Sequence, residues 1–138
     1  PYALVTLLIG VNNQYRGRPL DEYREQFRSL LARAVALAGD DAGRVIVVSI
    51  PDWGVTPFAL GEGRDPHQVA AQIDAFNAAA MHVSAGLHAR YADITAISRD
   101  RGAEADMLAA DGLHPSAAMY ARWLPAISAA ARAALGGG

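Results

Sequence analysis

Apolar residues along this chain fall into two kinds of run. Ala3–Ile9 and Val45–Ile50 are short and nearly unbroken, which predicts strands covered on both faces, as in a parallel sheet. Ala92–Ile97 is shorter and mixed and predicts a third strand. Between the runs the spacing becomes helical. Leu20, Tyr23, Phe27, Leu30, Leu31, Ala34, Val35 and Ala38 mark one face of a helix over Pro19–Ala38, with Asp21 and Glu22 in its first turn and Gly39 beyond its end. Asp65-Pro66 supplies a cap and first position for a second helix, whose face runs Val69, Ile73, Phe76, Ala80, Val83, Leu87. A last helix is expected over Ser116–Leu135, kinked or split at Pro125. Strands alternating with helices predict a three-layer α/β/α sandwich with a parallel sheet, in one domain.

In such a sheet the chemistry collects beyond the carboxyl ends of the strands. Gly10–Asn13, Pro51–Gly54 and Ser98–His114 all follow strands and are expected to meet at that edge. The segment from Pro51 to about Asp65 is long for a connection and reads as a binding loop. Ser98–Ala110 is polar and irregular, with a helical turn expected near Ala103–Leu108.

Asp111-Gly112-Leu113-His114-Pro115 is the stretch with the clearest chemistry. An acid three residues before a histidine can fold back across one turn, accept its Nδ1–H and leave Nε2 free as a general base. Pro115 suits the first position of the last helix. Read locally, the same residues also make an ordinary capped helix start. Asn12, just after the first strand, is either a turn former or an amide donor aimed at an oxyanion. Its placement on the same edge as Asp111 and His114 favours the second reading. Trp53 and Phe58 are candidates to line an acyl or alcohol pocket. Asp52 reads as a turn former. His67, His82 and His88 read as surface residues of a helix with no metal-binding spacing, and Tyr120 and Trp123 as packing residues beside Met119.

Composition narrows the function classes. The chain has 138 residues, 52% hydrophobic and 19% charged, with net charge -2. No dense basic patch is present, which argues against a nucleic-acid or anionic-membrane binder. No apolar run is long enough for a membrane span. The absence of cysteine removes disulfides, thiolate metal sites and a cysteine nucleophile. No G-x-G-x-x-G or Walker loop follows a strand, which removes the nucleotide-binding reading. No cofactor or metal is expected. The chain begins at Pro1, a start codon and a signal peptide are both compatible with loss upstream, and the compartment stays open.

Leu7-Leu8-Ile9-Gly10-Val11-Asn12-Asn13 and Asp111-Gly112-Leu113-His114-Pro115 resemble the G-x-N-D and D-x-x-H-P blocks of the SGNH (GDSL-type) hydrolases, a family of esterases, lipases and acylhydrolases. Val47–Val55, VVSIPDWGV, is similar to the segment between those blocks. Asn13 stands where the family has Asp. The resemblance implies a flavodoxin-like fold, Asn12 as oxyanion donor, His114 as general base and Asp111 as its orienting acid. It also implies a Ser-His-Asp mechanism on a small-molecule, lipid or sugar acyl ester. The family's G-D-S serine and its glycine block do not occur in these 138 residues. Ser29, Ser49, Ser84, Ser98, Ser116 and Ser128 all lack the strand-turn-helix setting of an exposed nucleophile. The serine is therefore expected upstream, on N-terminal strands missing from this chain. The strand Ala3–Ile9 is then an open edge, expected to pair with that complementing N-terminal segment or with a second copy. The alternative is a catalytically inactive SGNH-like binding or assembly module.

Overall fold

The structure, a computed structural model, describes residues 1–136. Three strands, β1 (Val5–Leu7), β2 (Val45–Val48) and β3 (Arg90–Ala92), form a parallel sheet in the order β1-β2-β3. Val5 lies opposite Val45, and Ile46 opposite Arg90. Helices α2 (Leu20–Leu37) and α4 (Pro66–Gly86) make the β1–β2 and β2–β3 crossovers, and α6 (Ala117–Leu135) follows β3 after a long connection. Short helices α1 (Val11–Tyr15), α3 (Pro57–Gly61) and α5 (Thr95–Arg101) lie in the connections.

The alternation of β2 separates two cores. Val45 and Val47 point to α2 and α4, against Phe27, Leu31, Ile73 and Val83. Ile46 and Val48 point the other way, to Ile94, Met107, Met119 and Trp123. All four β2 residues are buried, as a strand between two layers requires. Each fully buried side chain of this size contributes roughly 1.5–3 kcal/mol through removal from water. The expected three-layer α/β/α arrangement is therefore present.

β1 differs from the expectation of two covered faces. Val5 and Leu7 pack against the α2–α4 core. Thr6 is exposed, and Leu8 just beyond the strand is 40% exposed. α6 packs chiefly on β2 and β3. The outer edge of β1 pairs with no strand among the described residues.

Three boundaries depart from the sequence pattern. The third strand ends at Ala92, and the expected strand to Ile97 is instead a turn followed by α5. The Asp93 carboxylate accepts the Thr95 amide at 2.9 Å, and the Ile94 amide goes to the Ser49 hydroxyl at 2.8 Å. These side-chain bonds replace a ladder, and Ile94, Ile97 and Ser98 then fall at helical spacing. The α6 helix is not split at Pro125. That proline sits on the exposed side, where water can serve the Ala121 carbonyl that loses its partner. Pro115 is not the first residue of α6. It forms an isolated antiparallel bridge with Leu108, and Ser116 caps the helix by accepting the Met119 amide at 3.4 Å.

Candidate active site

Gly10 ends β1's extension with φ 129°, a conformation side chains rarely adopt. A Cβ there would lie 2.7 Å from the Tyr23 ring and 2.9 Å from Ile50. Tyr23, whose hydroxyl donates to the Ile9 carbonyl, is held un-ionised by burial, which raises its pKa. The tight turn leads directly into α1, a helix where the sequence indicated only a turn. Asn12 is exposed on its first turn. The flanking amides are engaged: Asn13 donates to Gln26 at 2.9 Å and Gln14 to Gln72 at 2.8 Å. Asn12 has no side-chain partner among the described residues.

Gln14 also fixes the neighbouring wall. Its side-chain oxygen accepts the Trp53 indole N–H at 2.7 Å, and both residues are buried. Trp53 therefore cannot swing independently of α1. Tyr15 meets the Trp53 ring edge-on at 5.3 Å, and the Arg64 guanidinium lies 5.0 Å from the Tyr15 ring centre. Asp52 forms the expected turn by accepting the Gly54 amide at 2.8 Å. Its other oxygen takes the Arg99 Nε at 2.8 Å, and Arg99 reaches Asp74 at 2.7 Å and the Ala70 carbonyl at 3.1 Å. The Asp52 carboxylate is 1% exposed, so a buried charge is balanced by a cation bridging α5 and α4. The Asp52 hydrogen bond is the main influence raising the Arg99 pKa.

On the opposite side, Asp111 and His114 close as the spacing required. His114 Nδ1 lies 2.6 Å from Asp111 Oδ2, while Asp111 Oδ1 accepts the amides of His114 at 2.9 Å and Leu113 at 3.0 Å. Gly112 makes the turn with φ 68°, and its carbonyl accepts the Phe58 amide at 3.2 Å. The His114 bond, followed by the two backbone amides, lowers the Asp111 pKa from 3.8 to about 2. The pair is solvent-accessible, His114 at 72% and Asp111 at 50% of the side chain. An Nδ1 committed to Asp111 leaves Nε2 as the free ring nitrogen.

Asn12, His114, Trp53 and Phe58 line one open cleft of about 400 Å³. The structure thus brings together the four residues that face substrate in the sequence-based expectation, with Asp111 behind His114. Val11, Tyr15 and Leu113 also line the cleft and were not anticipated. Tyr15 was legible in principle, since a helical reading of Gly10–Tyr15 puts it one turn from Asn12. A separate cavity of about 40 Å³ lies among Trp53, Met119 and Trp123; it contains neither His114 nor Asn12 and is not the candidate site.

The profile of the GDSL-like Lipase/Acylhydrolase family matches residues 1–122, which include both sides of the cleft. The chain belongs to this family. A solved structure, the crystal structure of TesA, superposes with a TM-score of 0.68 at 22% identity, covering 96% of this chain and 64% of TesA. The chain thus spans somewhat less than two thirds of the length of TesA, whose likeness concerns the fold. No curated protein matches significantly.

Within this GDSL-like framework the six serines are placed as follows. Ser49 is buried and bonded to Asp93 and Thr95. Ser98, expected just after the third strand at the active edge, lies in α5, where it donates to the Thr95 carbonyl and accepts the Asp52 amide. Ser84 is buried and bonded within α4, and Ser116 is engaged with the Asp106 carbonyl. Ser29 lies on the exposed side of α2 and Ser128 on α6. None of them lines the cleft. His67 and His82 are exposed on α4, whereas His88 lies beyond its end with φ 60°. Trp123 is buried as expected, but Tyr120 is 53% exposed.

Proposed function

We propose that this chain carries the base, its orienting acid and one oxyanion donor of a carboxylic ester hydrolase working by a Ser-His-Asp mechanism. The observation that carries the reading is the Asp111–His114 bond on a cleft shared with Asn12. Family membership supports hydrolysis of lipase or esterase type in general. No serine of the described chain lines the cleft, so the nucleophile is assigned to a segment outside these 138 residues. That segment would pair with the free edge of β1, whose carboxyl end leads to Asn12.

In this mechanism His114 Nε2 takes the serine proton as oxygen attacks the ester carbonyl. The oxyanion rests on Asn12 and on amides of the complementing segment. Collapse of the tetrahedral intermediate breaks the ester C–O bond, and the proton passes from His114 to the departing alcohol. Water then attacks the acyl-enzyme with His114 again as base, releasing the acid and restoring the serine. Asp111 holds the ring throughout and stabilises the imidazolium. Trp53 and Phe58 form the apolar wall.

A fluorophosphonate probe tests this reading in the protein that includes the complementing segment. Labelling is expected, with His114→Ala reducing it by several orders of magnitude. A complete protein with the serine in place that neither labels nor cleaves short acyl esters would falsify the reading. The apolar lining of the cleft by Trp53, Phe58 and Leu113 also fits a second reading, a catalytically inactive module that binds acyl groups without cleaving them. That reading predicts ligand binding in the cleft with no labelling in the complete protein.

A further inference from the structure

A helix as short as α1 cannot hold its own direction in water. Its direction, and with it the place of Asn12, is set by what α1 touches. The one buried residue of α1 is Gln14, a polar side chain. Val11 packs at the margin of the core, and Tyr15 is exposed. Apolar burial is non-directional and would leave so short a helix free to slide or rotate. Hydrogen bonds at a buried amide fix both distance and angle.

Gln14 uses both ends of its amide. An indole N–H only donates, so the atom 2.7 Å from Trp53 Nε1 is the Gln14 oxygen. The amide nitrogen is thereby turned to Gln72 Oε1 at 2.8 Å. Trp53 belongs to the loop after β2 and Gln72 to α4, so α1 is tied to two separate elements. Trp53 is itself fixed, since its carbonyl accepts the Thr56 hydroxyl at 2.6 Å and Arg99 clamps the preceding Asp52. On the solvent side the Arg64 guanidinium lies 5.0 Å from the Tyr15 ring centre and 5.7 Å from that of Trp53, spanning the same junction. Water competes for that exposed cation but not for the buried Gln14–Trp53 bond.

We infer that Gln14 is the positioning residue of the site. It does not line the cleft; it holds α1 against Trp53 and α4 so that Asn12 keeps its place there. Its importance for catalysis rests on the hydrolase reading, in which a donor must meet the oxyanion within a narrow distance. Its hold on Asn12 needs no nucleophile.

Two substitutions separate the hydrogen bonds from packing. Gln14→Met keeps the approximate volume and removes both bonds. Gln14→Glu keeps an oxygen for the indole, and Gln72 can turn its amide to donate to the other oxygen. In proton–nitrogen NMR of the 138-residue chain, Gln14→Met should shift the Trp53 indole and the Asn12 side-chain amide. The indole of Trp123, the other of the two tryptophans, should stay in place as an internal reference. Gln14→Glu should leave Asn12 near its original shift. In the complete protein, Gln14→Met should lower kcat on p-nitrophenyl acetate by about tenfold to a hundredfold, with KM changed by less than about twofold. Gln14→Glu should recover most of that loss. Ser84→Ala, which removes a buried hydrogen bond within α4, should lower stability without moving Asn12 or kcat. An Asn12 signal unmoved by Gln14→Met would overturn the inference, as would equal losses in the two variants, which would mark packing as the cause. Absence of probe labelling in the complete protein, with Asn12 still displaced by Gln14→Met, would defeat the hydrolase chemistry alone. Labelling with full kcat in Gln14→Met would defeat this inference alone.

Discussion

Asp111 makes three hydrogen bonds within four residues, to His114 Nδ1 and to two backbone amides, and its ionisation reports whether that turn is formed. Its pKa in the folded chain is lowered from 3.8 to about 2. A depressed carboxylate favours folding above its unfolded pKa, and that contribution disappears as pH falls through the folded value. The loss should therefore be confined to the window between about 4 and 2, and Asp111 should add no limb to an activity profile above pH 4. Carbon-13 NMR of the Asp111 carboxyl checks this: a midpoint near 2 is expected, and one at 3.8 would mean the turn is open in solution. This contact was legible from sequence because an i,i+3 acid–histidine pair needs only one turn to close. Asn12 was legible for a different reason, its position just past an apolar strand. Gln14 was not legible. Nothing in its neighbourhood in sequence indicates Trp53, thirty-nine residues away, as the donor to its amide oxygen.

At the scale of elements, local spacing served where burial is one-sided and failed where side-chain hydrogen bonds redirect the backbone. α2 and α4 were legible within a residue or two at their starts because their apolar faces and terminal residues agree. Ala92–Ile97 read as a strand from its composition, yet Asp93 and Ser49 capture the backbone and start α5. The misplacement concealed the role of Arg99. On a helix it bridges the buried Asp52 of the cleft loop to Asp74 on α4; on a strand ending at Ile97 no such bridge is indicated. Removing it leaves an unpaired carboxylate at a site 1% exposed. Arg99→Ala should destabilise the chain by about 3 kcal/mol, the lower end for breaking a buried pair because the arginine is itself a third exposed. Urea denaturation gives this value directly. Arg99→Lys should recover only part of it, since one ammonium cannot reproduce the fork to both acids. A loss below about 0.5 kcal/mol would show that water reaches Asp52 and that the bridge is incidental.

The whole molecule has one unbalanced side. β2 is buried on both faces and β3 carries α6, but among the described residues β1 has an edge that pairs with no strand and an open face at Thr6 and Leu8. The exposed Tyr2 and Ile9, which flank β1, and Leu30 and Leu37 on α2 add apolar surface. Sequence pattern described β1 as a strand covered on both sides, which is what an apolar run implies when its covering partner lies in the same chain. An edge of this kind templates further strand pairing, and charge is the usual means of blocking it. Thr6 is suited to testing that point because its side chain is exposed while its neighbours Val5 and Leu7 hold the core. Light scattering across a concentration series should show self-association of the 138-residue chain. Thr6→Lys should suppress it, with folding stability changed by no more than about 0.5 kcal/mol. A segment that completes the sheet competes for the same edge, so adding it should dissolve the self-associated form. In the hydrolase reading, the same addition should create fluorophosphonate labelling that depends on His114. A chain that stays monomeric at all concentrations, and is indifferent to Thr6→Lys, would mean that the β1 edge is protected in solution and would remove the route by which the nucleophile is proposed to arrive.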